Sequence, residues 1–469
     1  MVFSSNLFLF AFLPLALLLY FAVPKKLATK NLRNSVLLIL SLIFYSWGEL
    51  HYLWLLLLSI TANYFFGLAL EKKSKNLTIF LAVATNLALL GYFKYANFLV
   101  ENLNQIFSLQ IENKKIHLPI GISFFTFHAI SYLVDIYRKK CRAQRNIFDL
   151  ALYISFFPQL IAGPIVRYNA IEKYLGQRRH TWFAAAAGIR RFIIGLGKKV
   201  IIANPLGEFA DAVFASQISD LNPAIAWAGL AAYTLQIYFD FSGYCDMAIG
   251  LARVFGFKFP ENFNYPYIAR SIKEFWRRWH MSLSAWFRDY VYIPLGGNRV
   301  SLARQYFNLF LVFFLCGLWH GASWNFVIWG MIHGAFLVFE RVKIGAAFLK
   351  FLPKIAQHFY TIFVVMLAWV FFRSPDLTHA TGFLSTMFSA SEISWGGAEV
   401  ARLAKSHFVW MSAALAILGF SPLLKNVGGA LQKNKIFAAA LDVFLILVLV
   451  LSLLRLSAAT HNPFIYFQF

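Results

Sequence analysis

A histidine stands inside an uncharged stretch of the chain, in the segment FFLCGLWHGASWNFVIWG. No Asp, Glu, Lys or Arg occurs from Gln305 to Phe339, and the small residues Gly-Ala-Ser directly follow His320. Apolar surroundings disfavour the imidazolium ion, so we expect a neutral ring, which is the form that a general base needs. The simpler alternative is a core histidine bonded to a neighbouring carbonyl group. Ionisable residues in apolar spans are usually functional, so His320 is the first catalytic candidate.

A second histidine lies in the basic, aromatic segment SIKEFWRRWHMSLSAWFRDYVYIPLGGNR. Trp276 and His280 are four residues apart, and Arg277 and Ser284 are seven apart, so on a helix each pair shares a face. The guanidinium groups of Arg277 and Arg278 are suited to a cytosolic phosphate-bearing ligand. An interfacial helix held by tryptophans and anionic lipid headgroups would carry the same charges. The charges alone do not separate these two interpretations.

Two aspartates and two further histidines lie in apolar segments. Asp240 and Asp246 occur in YFDFSGYCDMAIG, where carboxylates need partners, and we expect pairing with nearby arginines. Asp240 is also a candidate substrate-binding residue. For His128 and His333 the default expectation is a packing role with satisfied ring nitrogens.

A reaction that develops a negative charge here would need hydrogen-bond donors to stabilise it, and His280, Asn325 and backbone N–H groups are the candidates. A zinc site made of Cys316, His320 and His333 would have no recognised ligand spacing, so we expect no metal. The three cysteines of the chain give no disulfide framework. Cys316, one helical turn before His320, has packing rather than nucleophilic attack as its expected role.

The composition indicates the environment in which these residues act. Of 469 residues, 60% are hydrophobic and only 13% charged. Apolar runs of about 20 residues, enough to cross a ~30 Å hydrocarbon core, recur along the chain. The net charge of +23 is carried by short clusters between these runs, as positive-inside anchoring predicts, which argues against a nucleic-acid partner. The sequence therefore predicts an all-α polytopic membrane protein.

The basic clusters also predict the orientation. PKKLATKNLR, EKKSK and RKKCRAQR alternate with neutral loops, so we expect the clusters in the cytosol and the N-terminus outside. The first apolar run lacks a cleavage site and is expected to be a retained span. The spans predicted in this half of the chain, after the first run at 6–23, cover residues 35–47, 52–70, 77–100 and 118–136.

The middle of the chain departs from this alternation. IFDLALYISFFPQLIAGPIVRY has basic residues on both sides and is interrupted by prolines, so a re-entrant segment and a kinked span are equally compatible with it. Basic residues also flank both ends of the His320 stretch, which predicts a hairpin with its apex near His320 and Gly321. Arms of about 15 residues would rise ~20 Å, which leaves the apex within the membrane.

One domain is expected to occupy residues 1–469. Within it we distinguish N-terminal spans at 1–136, a catalytic core with re-entrant segments at 137–345, and C-terminal spans at 346–469. Residues 182–203 carry four basic residues and are expected to be partly interfacial, and residues 253–304 contain no clean span. Three more apolar segments follow, at 355–372, 407–424 and 436–454.

Taken in order, several segments resemble the membrane-bound O-acyltransferase family, most closely its bacterial alginate O-acetylation branch. The match covers most of the chain. The opening MVFSSNLFLFAFLPLALLLY and the terminal NPFIYFQF also resemble that branch. The segments that carry the family resemblance are PIGISFFTFHAISYLVDIYR, QLIAGPIVRY, YFDFSGYCDMAIGLARVFGFKFPENFNYPY, WRRWHMSLSAWFRDYVYIPLGGNR and LWHGASWNFVIWG.

The resemblance implies a fold and a reaction. The fold would be a ring of tilted transmembrane helices with re-entrant and interfacial helices around a central tunnel. His320 matches the family's catalytic histidine, and His280 its second site position. The resemblance implies acetyl-coenzyme A as the donor, no bound cofactor, and location in the bacterial inner membrane. It also implies periplasmic acetyltransferase partner proteins, with an exopolysaccharide such as alginate as the final acceptor.

Two rival functions remain open at this point. Transfer of D-alanine from a carrier protein to teichoic acid is the rival within the family, and His at 280 together with the amino-terminal segment favours acetylation over it. A transporter or flippase without chemistry is the rival from another class. Transporters often show paired half-repeats with broken helices, and no internal repeat is visible here.

Overall fold

The computed structural model describes residues 1–23, 30–72, 75–390, 397–431 and 434–458. Every regular element within these ranges is a helix, which confirms the predicted all-α fold class. The basic residues at 25, 26 and 73 and the terminal segment NPFIYFQF, which entered the predictions above, lie outside the described residues.

The chain forms two compact units, whose limits differ from the three stretches delimited above. The first contains Met1–Phe192 and Cys245–Pro260, and the second contains Ile193–Tyr244 and Glu261–Phe469. Two helices run across these limits along the chain: α9 (Trp182–Gly197), followed directly by a π-helical turn at Lys198–Ala203, and α11 (Pro223–Val254).

The first unit contains eight further helices. A π-helical turn at Phe8–Phe12 precedes α1, and a 3₁₀ turn at Leu50–Tyr52 joins the second helix to the third. The helices are α1 (Leu13–Phe21), α2 (Lys30–Glu49), α3 (Leu53–Lys72), α4 (Asn76–Phe107), α5 (Ile122–Tyr137), α6 (Ile147–Ser155), α7 (Phe157–Leu160) and α8 (Tyr168–Gly176).

Buried amides join α3 to α4. Asn63 Nδ2 donates to Asn86 Oδ1 at 3.1 Å, and Asn86 Nδ2 donates to Asn63 Oδ1 at 2.8 Å. Interhelical amide pairs of this kind hold transmembrane helices together where lipid offers no hydrophobic driving force.

The proline-interrupted segment after α5 is broken into short pieces. Nine residues form α6 and four form α7, and Phe156 between them leaves the helical region with φ −55° and ψ 114°. Residues 149–166 are buried throughout. Irregular backbone is tolerated at membrane depth where protein covers it, so this burial agrees with a broken, non-spanning segment.

The second unit contains the remaining helices. Further 3₁₀ turns lie at Ile218–Asp220 and Pro266–Ile268, and a π-helical turn at Arg288–Tyr292. The helices are α10 (Asn204–Ala215), α12 (Ile272–Arg278), α13 (Met281–Phe287), α14 (Leu302–His320), α15 (Trp324–Phe339), α16 (Lys343–Phe351), α17 (Lys354–Arg373), α18 (Leu377–Met387), α19 (Ala398–Ala404), α20 (His407–Gly419), α21 (Leu423–Leu431) and α22 (Lys435–Ala458).

The expected hairpin around His320 is present as α14 and α15. Its first arm is longer than predicted, because the helix begins at Leu302 and includes Arg304. At 19 residues this arm is ~28 Å long, so its length alone does not keep the apex inside the membrane.

Glycines bring the two arms of the hairpin into close contact. A Cβ atom on Gly317 would lie 2.2 Å from the backbone oxygen of Phe326, and one on Gly330 would lie 2.2 Å from that of Phe313. Side chains larger than hydrogen would therefore separate α14 from α15. Small residues at helix crossings are a general feature of membrane bundles.

Several stretches of the described chain are long and apolar enough to cross a membrane. One of them is Asn31–Lys72, which includes most of α2 and all of α3. The others are Asn76–Phe107, Leu302–His320, Lys354–Arg373 and Lys435–Ala458. Helix α22 exposes apolar side chains around most of its surface, for example Ile436 and Leu454, as a helix facing lipid would.

Candidate active site

His320 is the last residue of α14 and lies in an aromatic cage. Its ring centroid is 4.9 Å from that of Trp319, 5.0 Å from Trp329 and 5.1 Å from Phe372, with the rings close to perpendicular. The side chain is buried, with 6% of its surface exposed. This setting excludes bulk water from the imidazole, in agreement with the prediction of a sheltered ring.

Three helices build this cage. Trp329 comes from α15 and stacks on Trp369 of α17 at 5.9 Å, while Phe372 lies one turn further along α17. The Oγ atom of Ser323 accepts from the Asn325 N–H at 3.3 Å and so caps α15 just after the hairpin turn. The glycine-mediated contact between α14 and α15 places Trp329 beside the C-terminal end of α14.

His280 lies between α12 and α13 and is fully buried. Its backbone is in the left-handed region, with φ 41° and ψ 54°, which is unfavourable for a residue other than glycine. The ring contacts Phe241 at 4.8 Å and Trp319 at 6.2 Å. Since Trp319 also contacts His320, the structure brings the two predicted catalytic histidines to the same indole ring.

The hydrogen bonds of Asn262 identify the tautomer of His280. Asn262 Oδ1 accepts from the backbone N–H of Ser282 at 3.1 Å and from Ser282 Oγ at 2.8 Å, so this atom must be the oxygen of the amide. His280 Nδ1 lies 3.2 Å from the same oxygen and must therefore donate to it. Nε2 then carries the lone pair, and it has no hydrogen-bond partner among the described residues.

Burial also keeps His280 neutral. The short helices on either side of it, of seven residues each, are not among the stretches long enough to cross a membrane. Desolvation lowers the pKa of His280 to about 3. The ring therefore offers a neutral Nε2 acceptor across the physiological pH range.

Trp276 and Ser284 have structural contacts. Trp276 Nε1 donates to His333 Nδ1 at 3.3 Å, and Ser284 Oγ donates to the backbone oxygen of Trp276 at 3.1 Å. His333 also stacks on Phe275 at 6.3 Å. His333 is thus packed among aromatic rings, but its nitrogens are only half satisfied, because Nε2 has no hydrogen-bond partner among the described residues. Trp276 lies in the wall of the aromatic cluster, 5.7 Å from Trp329.

The predicted phosphate-binding arginines are partly neutralised. Arg278 Nη2 lies 2.9 Å from Glu274 Oε1, and Arg288 Nε lies 2.6 Å from Asp289 Oδ1. Arg277 is exposed. A carboxylate beside a guanidinium competes with an incoming phosphate, so this segment offers an anion less free positive charge than its sequence indicates.

Both aspartates are paired, Asp240 being buried and Asp246 partly exposed. Asp246 binds Arg191 at 2.8 Å, in agreement with the expected arginine partner, whereas Asp240 binds Lys199 at 2.9 Å. A carboxylate held in a buried ion pair is poorly placed to bind substrate. Asn325 Nδ2 donates to the backbone oxygen of Ser374 at 2.8 Å, so its amide donor is also engaged.

His128 in α5 does not show the satisfied packing role that was expected. It is fully buried, and neither ring nitrogen has a hydrogen-bond partner among the described residues. Tyr153 lies beside it at 5.6 Å, and its hydroxyl hydrogen bonds to backbone oxygens, including that of His128.

The cysteines are poor candidates for an acyl relay. Cys316 and Cys245 are buried, and burial raises the pKa of the Cys141 thiol to about 12, with Asp135 and Glu172 adding to the effect. Within the described part of the chain, no group of three or more His, Cys, Asp or Glu side chains is arranged to hold a metal ion.

Asn262 and Phe372 belong to the site but were not singled out from the sequence. Asn262 lies in the ENFNYPY segment, 18 residues before the histidine that it contacts. The available signal was a polar residue directly before Phe263 in a segment that carries the family resemblance. Phe372 comes from an ordinary apolar helix and had none.

The chain is similar in sequence to known proteins over most of its length. The family model of the membrane-bound O-acyltransferases matches residues 39–375, which include both histidines and the aromatic cage. The probable alginate O-acetylase AlgI of Azotobacter vinelandii is 42% identical over 100% of both chains.

Other relatives act on different polymers, as their names state. The peptidoglycan O-acetyltransferase of Helicobacter pylori is 40% identical over 84% of this chain and 81% of its own. The teichoic acid D-alanyltransferase of Bacillus subtilis is 32% identical over 46% of this chain and 58% of its own. The chain belongs to the membrane-bound O-acyltransferase family and is a multi-pass membrane acyltransferase.

Proposed function

We propose that this protein transfers an acetyl group from a cytosolic thioester, acetyl-coenzyme A, toward an exopolysaccharide such as alginate, with His320 as the general base. The observation that carries the proposal is the placement of two buried histidines against one indole ring, Trp319. A transporter or flippase has no need of two sheltered imidazoles in contact with the same side chain.

The chemistry follows from the protonation states. A hydroxyl group is a weak nucleophile until a base takes its proton, and His320 accepts that proton as the oxygen attacks the thioester carbonyl. The new C–O bond forms, the C–S bond breaks, and the proton passes from His320 to the departing thiolate. A thiol pKa of about 8.5 makes the thiolate a better leaving group than an alkoxide.

His280 has a different part in this reaction. With its Nδ1 proton held by Asn262, Nε2 accepts a hydrogen bond but does not donate one. This favours orientation of the acceptor hydroxyl by His280 over stabilisation of the oxyanion. Backbone N–H groups are then the better candidates for the oxyanion site, since Asn325 Nδ2 is engaged.

The aromatic cage supports the chemistry by keeping the site dry. Trp329 and Phe372 cover the His320 ring, which limits hydrolysis of the thioester and strengthens polar contacts inside. The donor is cytosolic and the polymer lies outside, so the acetyl group has to cross the inner membrane. Periplasmic acetyltransferase partners would receive it there and deliver it to sugar hydroxyls.

The names of the relatives support a polysaccharide acceptor. Alginate O-acetylases match the whole chain at about 40% identity, whereas the D-alanyltransferase matches 46% of it. Acetylation is therefore favoured over D-alanylation. Most of the other residues that the sequence offered as substrate contacts already have structural partners, so the proposal gives them no role in the reaction. These residues are Arg277, Arg278, Ser284, Trp276 and Asp240.

The test measures transfer from two donors. Membranes containing the wild-type chain are given labelled acetyl-coenzyme A or a D-alanyl carrier protein, and label reaching polymer or partner protein is counted. We expect transfer from acetyl-coenzyme A only, and a loss of at least about 100-fold in His320→Ala, since general base catalysis contributes roughly 10²–10⁴-fold.

His407→Ala is the matched control, because His407 is exposed at the start of α20. Equal membrane levels of both variants are confirmed by immunoblot. Wild-type transfer by His320→Ala at normal protein level would contradict the base assignment, and transfer from the D-alanyl carrier alone would contradict the donor.

A further inference from the structure

Four side chains in the first unit form a cluster that the proposed reaction does not use. We name Tyr20, Arg33, Arg178 and His180 the Tyr20 cluster. The Tyr20 hydroxyl accepts from Arg178 Nε at 3.3 Å, donates to the backbone oxygen of Phe255 at 3.2 Å, and lies 3.2 Å from His180 Nε2. Tyr20 itself is fully buried.

Two guanidinium groups share this tyrosine. Arg33 Cζ lies 5.7 Å and Arg178 Cζ 6.0 Å from the centroid of the Tyr20 ring. Arg178 also lies over Phe257 at 4.5 Å. Both arginines are therefore held on aromatic surfaces, where cation–π attraction offsets only part of the loss of water.

Neither arginine of the cluster forms an ion pair with a carboxylate in the part of the chain that the structure describes. Other arginines of the same unit are paired, as Arg191 is with Asp246 at 2.8 Å and Arg145 is with Glu71. Within the described residues, no ion pair involves Arg33 or Arg178. The carboxylate that acts on Arg178 from a distance, Asp149, accepts from Asn34 Nδ2 at 2.7 Å.

The surroundings make this charge costly. Burial lowers the pKa of Arg178, and the charge of Arg33 lowers it further, while Tyr20 and Asp149 act in the opposite direction. Arg33 Nε is shielded from solvent and has no hydrogen-bond partner in the described part of the chain. His180 stays neutral, because burial and then the two arginines lower its pKa to about 4.

We propose that the Tyr20 cluster is a binding site for a phosphate group, with Arg33 and Arg178 as its ligands. A phosphate supplies the two negative charges and the several acceptor oxygens that two planar guanidinium forks match. It would bring negative charge to both arginines and an acceptor to Arg33 Nε, whereas Arg178 Nε and Nη1 already donate to the Tyr20 hydroxyl and to the backbone oxygen of Tyr174. The site is distinct from Arg277 and Arg278, where Glu274 already supplies the anion.

Both arginines lie in segments that the distribution of charge assigns to the cytosol. Two sources of phosphate are available there: the nucleotide phosphates of a soluble thioester donor, and the headgroups of anionic lipids. Binding of the donor would rest on the proposed function, whereas binding of inorganic pyrophosphate or of lipid would not.

The first experiment uses the full chain purified in a neutral detergent. Inorganic pyrophosphate is titrated while the midpoint of thermal unfolding is followed, because a ligand of the folded state raises that midpoint. We expect a saturable rise for the wild type. Arg33→Gln and Arg178→Gln should each weaken apparent binding by about tenfold or more, as expected for a lost charged hydrogen bond.

Arg179→Gln is the matched control, since Arg179 is the exposed neighbour of Arg178. Arg33→Gln keeps the test valid if Arg178→Gln fails to fold, because Arg33 Nε has no hydrogen-bond partner among the described residues that the substitution would remove. Pyrophosphate binding by Arg33→Gln equal to that of Arg179→Gln would overturn the proposal.

A second set of measurements separates the sources. Nanodiscs of phosphatidylcholine alone and of phosphatidylcholine with phosphatidylglycerol are compared for binding of 3′-phosphoadenosine 5′-diphosphate. Loss of nucleotide binding in the anionic discs, dependent on Arg33, assigns the site to lipid headgroups. Equal, Arg33-dependent binding in both discs assigns it to a soluble nucleotide. If Arg33→Gln changes neither nucleotide binding nor its competition by anionic lipid in either kind of disc, the proposed site is overturned.

Discussion

Asn262 determines the tautomer of His280 through a single atom, its amide oxygen. The oxygen accepts from Ser282 twice and from His280 Nδ1 once, so the proton on Nδ1 follows from the amide orientation. Such outer contacts set the ring orientation and tautomer of a functional histidine. Asn262 is therefore a positioning residue for His280. Its replacement should alter the tautomer and orientation of the His280 ring while leaving the fold intact.

We expect Asn262→Leu to remove the preference of His280 for the tautomer protonated on Nδ1. In a chain labelled with ¹⁵N-histidine, the His280 signals, identified by their absence in His280→Gln, should shift away from the Nδ1–H pattern. Acetyl transfer should fall by roughly 10- to 100-fold in kcat, the range typical for loss of a supporting contact. The KM for the donor should stay near the wild-type value.

Asn262→Asp tests the same contact by rescue. A carboxylate also accepts from Nδ1–H, so the tautomer and most of the activity should return. Ser282→Ala removes the Oγ hydrogen bond to the same oxygen without touching the imidazole, and serves as the control. An Nε2–H pattern in the wild type, or full activity in Asn262→Leu, would contradict the assignment.

The buried imidazole of His280 also predicts a pH dependence of stability. Its pKa in the fold, about 3, lies below the ordinary value of 6.5. The unfolded chain therefore binds a proton first, and the free energy of unfolding falls as the pH drops from 6.5 toward 3. Between pH 7 and pH 5 this amounts to about 2 kcal/mol.

The measurement compares wild type with His280→Gln in mixed detergent micelles at the two pH values. The wild type should lose about 2 kcal/mol more than the variant, since glutamine takes up no proton. Other histidines contribute equally to both proteins and cancel in the difference. Parallel losses would show that His280 is accessible to protons in the fold.

Residue types and spacing singled out both histidines as candidates but did not predict that both would contact Trp319. His320 was identified from its uncharged surroundings and His280 from its basic segment. Their meeting at Trp319 depends on where α14 packs, which no local pattern encodes. The same holds for Asp240, whose partner is Lys199 rather than an arginine, because the ion pair joins residues far apart in the sequence.

At the scale of helices, the crossing of α14 and α15 determines the position of His320. Gly317 lies three residues before His320, and a methyl group there would lie 2.2 Å from a backbone oxygen of α15. Backbone cannot move aside as a flexible side chain can. Gly317→Ala should therefore separate the arms and destabilise the fold by about 1–3 kcal/mol, the usual cost of overpacking.

Gly91→Ala is the matched control for this prediction. Gly91 is also within a transmembrane helix, α4, but a Cβ atom there would meet nothing within 4 Å. Since alanine is the better helix former, this change should be neutral or stabilise by up to about 1 kcal/mol. Thermal unfolding in detergent measures both. Equal stability of the two variants would show that the crossing tolerates a wider separation.

Most of the spans predicted from apolar runs and basic flanks correspond to observed helices, whereas many of the shorter helices were not predicted. The predicted span at 77–100 is part of α4, and that at 355–372 corresponds closely to α17. The start of α14 was misplaced, because Arg304 was taken as a boundary although a charged side chain is tolerated in the first turn of a helix that leaves the membrane. The helix–helix contacts made by glycines were not predicted, because whether a glycine lies at a helix crossing depends on which helix packs against it.

Composition was sufficient to predict the class of the whole molecule. A chain with 60% hydrophobic and 13% charged residues has too few charges for a soluble surface, and the family match agrees with that conclusion. The division into two compact units was not predictable, because α9 and α11 cross the limits between them without a break in helical pattern. Orientation in the membrane remains a prediction from the placement of charge.

That orientation can be tested directly with single cysteines. In a chain whose Cys141, Cys245 and Cys316 are replaced by serine or alanine, Glu112→Cys lies in the neutral loop after α4, and Lys140→Cys lies in the basic segment after α5. Both positions are exposed, so burial does not limit labelling. With clusters of Lys and Arg inside, a membrane-impermeant maleimide should label position 112 in intact spheroplasts and position 140 only after permeabilisation. The reverse labelling pattern would mean that the topology is inverted. The Tyr20 cluster, with its two arginines, would then lie on the side of the membrane away from the cytosolic phosphates.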